Sequence, residues 1–255
     1  MNDCKKIAPR IRRFFSLSAA KSISRLLKFW RFDGFAYSPE EWRQMRISFA
    51  DSAEDLIVYD LLKNIPSRQR GVYVDAGAFD PVLMSNTHLL SMLGWRGVNI
   101  DASPLNIEKF QCVRPQDTNV CAGLSNTECE FLFLEYPGGT GSRLVSLGAE
   151  DERSLCGDKP IRSTRINSRR LSDILQSALG SNPQIDFLSV DCEGFDWEVI
   201  STLDFSLHRP KVVCVESAWE DGGANRFYDF FQSKNYALHA KLPCNAIFVD
   251  RDFKS

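Results

Sequence analysis

Four short apolar runs, each ending in a carboxylate, constrain this chain more than any other feature. They are Val72-Tyr73-Val74-Asp75, Val98-Asn99-Ile100-Asp101, Ile185 to Asp191, and Lys211 to Glu216. Nearly continuous apolar runs of this kind mark strands buried on both faces. Between them lie helical patterns at 84–93 (stopped by Gly94), 104–113, 171–179 (stopped by Gly180), 195–203 and 224–233. Strand–helix alternation predicts an α/β fold with a mostly parallel sheet covered by helices on both sides. Tyr236–Lys241 and Ala246–Asp250 follow with no helix between them, which predicts an antiparallel hairpin at one sheet edge. In an open parallel sheet, ligands sit at the carboxyl ends of the strands. Asp75, Asp101, Asp191 and Glu216 would therefore share one edge and repel one another. A cation should compensate them, either a sulfonium ligand carrying an α-ammonium or a divalent cation.

The rest of the chain is less regular. A helix is expected from about Ser52 to Asn64, and further strands at Asn119–Ala122 and Cys129–Leu134. Residues 135–160 are rich in Gly and Pro and read as a long loop of the kind that covers a site or selects a ligand. Residues 1–32 hold nine Lys or Arg against Asp3 alone. Their charge of +8 within a net −2 leaves −10 on the remainder, so the body has no footprint for nucleic acid. Within 10–32, Ile23, Leu26, Leu27 and Trp30 recur at helical spacing among basic residues. That pattern fits a helix packed on its own domain or on a partner subunit, a peripheral membrane-surface helix, or an organellar presequence. The division expected is residues 1–50 as a basic helical extension and 51–255 as the catalytic domain.

The strand ends carry the candidate chemistry. After Asp75 comes Ala76-Gly77-Ala78, a turn in which Gly77 lets the backbone approach a ligand closely. The full GxGxxG of dinucleotide sites is absent, since Phe79 and Val82 stand at the later positions. Asp101 lies 24 residues beyond Gly77 and precedes Ser103-Pro104. That is the spacing of a ribose-binding acid, and also the place of a cap for the helix that follows. Asp191 ends the next apolar strand and is the candidate for orienting an acceptor. Glu193 could join it, or with Asp196 cap the next helix. His88, His208 and His239 are the histidines available as a base.

Taken together, Asp75-Ala76-Gly77-Ala78, Ser85-Asn86-Thr87, Gly94 to Asp101 with Ser103-Pro104, Asp186 to Phe195 with Glu198-Val199, and Arg209 to Glu216 resemble the FkbM-type methyltransferases. The resemblance spans about residues 70–250. It implies a Rossmann-like class I methyltransferase fold with a seven-stranded sheet, S-adenosylmethionine as cofactor, and O-methylation of a sugar or other small-molecule or glycan hydroxyl. Carried over by position, Asp75, Gly77 and Ala78 would meet the methionine end, Asp101 and Ser103 the ribose, Ala122 and Gly123 the adenine. Asp191 would face the transferred methyl as base or as metal ligand. Relatives often carry Glu where this chain has Asp101, and His where it has Asp80.

Two other functions are open to the sequence. One is a NAD-dependent oxidoreductase, disfavoured by the missing glycines. The other is a non-catalytic binding module on a degenerate fold, disfavoured by Asp75, Gly77, Asp101 and Asp191 standing together. Eight cysteines with no CxxC pair and few histidines argue against zinc and for a reducing compartment. Apolar runs are far shorter than the roughly 18 residues of a membrane span, and no secretory signal is recognised. A cytoplasmic enzyme is expected, with possible contact to a membrane surface through residues 1–32.

Overall fold

The computed structural model describes residues 39–65, 71–139, 141–148, 159–180, 184–217 and 224–254. The chain divides into two compact units, Met1–Ile47 and Ser48–Ser255. Of the first, the described part is a short helix, α1 (Pro39–Gln44), and the residues to Ile47. The basic arm at residues 1–32 lies outside the described residues.

The second unit begins with α2 (Glu54–Leu62), followed by β1 (Val72–Ala76), α3 (His88–Met92), β2 (Arg96–Asp101), α4 (Pro104–Val113) and β3 (Thr118–Cys121). Next come β4 (Gly123–Leu124), β5 (Glu130–Glu135), β6 (Arg143–Ser146) and β7 (Arg162–Arg169). The chain then runs through α5 (Leu171–Leu179), β8 (Phe187–Val190), α6 (Asp196–Ser201), β9 (Val212–Glu216), α7 (Ala224–Ser233), β10 (Tyr236–Lys241) and β11 (Asn245–Asp250).

The main sheet has seven strands in the order β10-β11-β9-β8-β1-β2-β3. Five are parallel, and β11 and β10 close the edge antiparallel, as the sequence predicts. Alternate residues face opposite sides. Val74, Ala76, Leu188, Val190, Val213 and Val215 pack under α5, α6 and α7. Tyr73, Phe187, Val212 and Cys214 pack under α2 and α3 through Val58, Leu62 and Leu90. This double burial is why the strands read as uninterrupted apolar runs. From β1 the chain moves outward through β2 and β3, then returns to the other side of β1 through β8 and β9. The strand order thus reverses between β1 and β8, and at such a switch point the strand ends leave a crevice.

Two regions depart from the sequence reading. The helix expected at 84–93 is shortened to α3, because the Asp80 carboxylate captures the N–H groups of Val82 and Leu83 and Met84 takes a left-handed backbone (φ 52°). The loop expected at 135–160 contains β6. With β4, β5 and β7 it builds a second, four-stranded sheet in the order β4-β7-β5-β6, which the sequence did not reveal. One face of β7 is exposed, so its residues Arg-Ser-Thr-Arg-Ile-Asn-Ser-Arg lack the apolar alternation that marks a half-buried strand.

Candidate active site

A cleft opens at the switch point, lined by Asp75, Gly77, Ala78, Asp101, Ala122 and Asp191 among others. Six of the eight residues expected from sequence therefore meet in one place. Ser103 and Gly123 do not reach its wall. Ser103 is buried behind Asp101, donating its N–H to Asp101 (2.7 Å) and its hydroxyl to Glu135 (2.8 Å). Gly123 pairs with Ser168 in the second sheet, and the neighbouring Leu124 takes the lining position.

The turn after β1 is held from two sides. The N–H groups of Gly77 and Ala78 donate to the Ile100 carbonyl at 2.9 and 3.0 Å. Gly77 has φ +80°, and a Cβ there would lie 1.7 Å from the Asp191 carbonyl oxygen. Glycine is required here because two backbone turns touch, a reason that the sequence did not reveal. The Asp191 N–H completes the contact by donating to the Ala76 carbonyl at 2.9 Å.

Buried carboxylates line this turn. Asp75 accepts the Thr87 hydroxyl at 2.6 Å, and burial pushes its pKa up to about 6 against the pull of Thr87 and Arg114. Asp101 accepts the N–H of Phe79 (2.8 Å) and of Ser103, and burial raises it to about 6 as well. Asp101 thus organises the start of α4 and also stands on the cleft wall. Asp191 is pushed furthest, to about 8, by burial first and then by the negative charges of Asp196 and Glu193, while a hydrogen bond with Glu216 pulls it down. Asp196 accepts the N–H groups of Cys192 (2.8 Å) and Gly194 (3.1 Å), so its role is to shape the turn into α6. Burial raises it to about 7. Oxygens of Asp191, Asp196 and Glu216 lie within 4.8 Å of one another. Glu193 turns into the cleft and accepts the Gly141 N–H, which ties the turn after β8 to the β5–β6 turn.

The opposite wall is apolar and comes from the second sheet, through Leu124, Phe133 and Leu144. Arg143 also lines the cleft. Sequence reasoning did not place Leu124 or Phe133 at the site, whereas Arg143 and Leu144 fall in the 135–160 segment that it expected to cover a site or select a ligand. None of the three histidines lines the cleft. His88 packs edge-on against Phe49 (4.5 Å), and burial and then Arg114 lower it to about 4. His208 is buried beside the start of β9, and His239 is exposed on β10.

A parallel sheet with a polar crevice at its switch point defines a class of enzymes that hold nucleoside-containing ligands there. A family model described as the methyltransferase FkbM domain matches residues 75–238, more than half of the chain. The chain belongs to that family and is an S-adenosylmethionine-dependent methyltransferase. The dinucleotide oxidoreductase reading is thereby set aside. No curated protein matches. Among solved structures, the O-methyltransferase from Bacillus cereus in complex with SAH is similar at 12% identity, over 92% of this chain and 91% of that one, with a TM-score of 0.40.

Proposed function

We propose that the enzyme methylates a hydroxyl of a sugar or glycan acceptor at this cleft, with Asp191 taking the hydroxyl proton. The observation that carries the reading is the place of Asp191 on the cleft wall at the carboxyl end of β8, where desolvation and neighbouring acids raise its proton affinity. When bound, S-adenosylmethionine supplies a methyl group activated on a positively charged sulfur. The donor set fits such a ligand, since Asp75, Asp101, Asp191 and Glu193 give the cleft an excess of negative charge over Arg143. Asp75, with the Gly77-Ala78 turn, would hold the methionine portion and Asp101 the ribose hydroxyls. The apolar wall of Ala122, Leu124 and Phe133 suits the adenine ring.

An alcohol is a poor nucleophile until its proton leaves, and a base works best with a pKa near the working pH. Asp191 meets that condition. A divalent cation held by Asp191, Asp196 and Glu216 is the second reading, supported by their proximity. The two backbone N–H groups already bound by Asp196 favour proton sharing over metal binding.

Asp191→Asn keeps size and removes charge. It should bind S-adenosylmethionine in calorimetry yet lose about 100-fold or more of methyl transfer to a sugar acceptor. For a base, wild-type activity rises with pH and ignores chelators. For a metal ligand, activity falls with chelator and returns with Mg²⁺. Normal turnover by the variant would remove Asp191 from the mechanism.

A cytoplasmic location, with residues 1–32 meeting a membrane surface or a partner subunit, remains part of this proposal. Among the described residues, no helix is long and apolar enough to cross a membrane. Cys121, Cys129, Cys192, Cys214 and Cys244 are free, whereas Cys112 is disulfide-bonded. Cell fractionation with thiol trapping tests the compartment. Co-sedimentation with anionic liposomes, with and without residues 1–32, tests the membrane contact.

A further inference from the structure

Ser85-Asn86-Thr87 stood out in the sequence, and the cofactor and base assignments leave it unused. All three side chains are committed to the carboxylate side of the cleft. Asn86 donates to the Ser189 hydroxyl at 3.0 Å, and Ser189 is the register partner of Asp75 on β8. Ser85 and Thr87 are buried, and both receive hydrogen bonds from Arg114, at 3.0 and 2.8 Å. Arg114 follows α4 and is 1% exposed. Its second guanidinium nitrogen also donates to the Pro81 carbonyl.

The polarity of this chain of bonds is fixed. Arginine has donors only and stays charged inside a protein. The Thr87 hydroxyl has one proton, which goes to Asp75 at 2.6 Å, so it meets Arg114 with a lone pair. Hydrogen bonds to an ionised group are stronger than neutral ones, and chained bonds polarise one another. Positive charge buried at Arg114 is thus relayed through one hydroxyl to a carboxylate on the cleft wall.

We propose that Thr87 and Arg114 are positioning residues for the cofactor, holding the Asp75 carboxylate charged and in place for the ligand's ammonium. The proposal rests on the reading that Asp75 meets S-adenosylmethionine. Asp75 is more than nine-tenths buried, and an acid so placed is driven towards its neutral form. The charged and titratable groups facing it are Arg114, Asp101, Asp117, Asp191 and Cys214. Of these only Arg114 favours the carboxylate, and Thr87 is its contact.

The test is calorimetric binding of S-adenosylmethionine from about pH 5.5 to about pH 9. Thr87→Val removes the hydroxyl at nearly constant volume and should move the onset of binding up by about one pH unit. Affinity would then be about fivefold weaker than wild type near pH 6 and equal near pH 9. Thr87→Ser restores the hydroxyl and should restore the wild-type profile, which a packing role for the threonine methyl would not do. Thr87→Ala serves if the Val variant does not fold, with a thermal melt at each pH as control. A Thr87→Val profile that overlays wild type, while Asp75→Asn loses affinity, overturns the proposal and leaves the cofactor reading standing. Asp75→Asn binding as tightly as wild type overturns the reading of Asp75 itself, and the relay with it.

Discussion

The two walls of the cleft are built in opposite ways. The carboxylate wall stands on the ends of β1, β2 and β8, deep in a sheet covered on both faces, and its turns are locked by backbone contacts. The apolar wall stands on β4, β5 and β6 of a small sheet whose buried cluster is Phe131, Phe133 and Leu144. Charge is held where backbone hydrogen bonds tie the turns together, because the strength of a buried charge interaction depends on fixed geometry. Shape is supplied by a thinner element that can adjust to what it covers.

Substitutions that separate the walls put this contrast at risk. The largest effect is expected for Gly77→Val. Its Cβ has no room beside the Asp191 carbonyl, and φ is +80°. A loss of about 4 kcal/mol, or roughly 10 °C in Tm, is expected with abolished cofactor binding. A melt within a few degrees of wild type would show that the two turns can part.

Phe133→Ala opens the apolar wall. Phe133 is 6% exposed, so a cost of about 3 kcal/mol in denaturant unfolding is expected. Weaker S-adenosylmethionine binding should follow, with the pH dependence of binding unchanged. A shifted pH profile would mean that this wall also governs the charges.

The carboxylate wall carries its own pH signature. The folded-state pKa values of Asp75 and Asp101 (about 6), Asp196 (about 7) and Asp191 (about 8) all lie above those of an unfolded chain. Each raised value means that the folded state keeps a proton the unfolded chain has released. The resulting stabilisation is full below about pH 4 and is lost as pH rises through about 6 to about 8. Tm of the ligand-free protein should therefore fall by several degrees, about 3–6 °C, between about pH 6 and about pH 9. The preference for the sulfonium ligand over its uncharged thioether product should grow over the same range. A flat melt against pH would contradict the buried, charged wall.

Asp101→Asn should weaken S-adenosylmethionine binding by about 1–3 kcal/mol in calorimetry, the usual effect of losing a hydrogen bond to a charged group. Unchanged affinity would reduce Asp101 to the organiser of α4. The smallest effect is expected on the outer face of the second sheet. Arg165 and Glu130 meet at 2.8 Å but are 68% and 41% exposed, so Arg165→Gln should change stability by less than about 0.5 kcal/mol.

The two walls also differed in how far sequence revealed them. Val74, Val98, Leu188 and Val213 lie in strands buried on both sides, and double burial leaves an unbroken apolar run that composition alone discloses. Asp75, Asp101 and Asp191 followed, because a strand-end acid has a fixed address in such a sheet. β6 lay among glycines and prolines, and β7 offered only Ile166 and Ser168 to the inside, so no periodicity marked them. Phe133 lay in an expected strand, yet nothing local said which element it would face. Arg114 was a single letter at a helix end; its burial against Ser85 and Thr87 exists only once three segments fold together.

The contact of Gly77 with the Asp191 carbonyl fixes the residue at 77 whatever side chain stands at 191, because the atom that a Cβ would strike belongs to the backbone. Leu124, Phe133 and Leu144 carry no such tie to the reacting end, and each can be exchanged singly. A laboratory library seeking altered grip on the cofactor therefore belongs on β4–β6, where variation leaves the proton-accepting carboxylate in place.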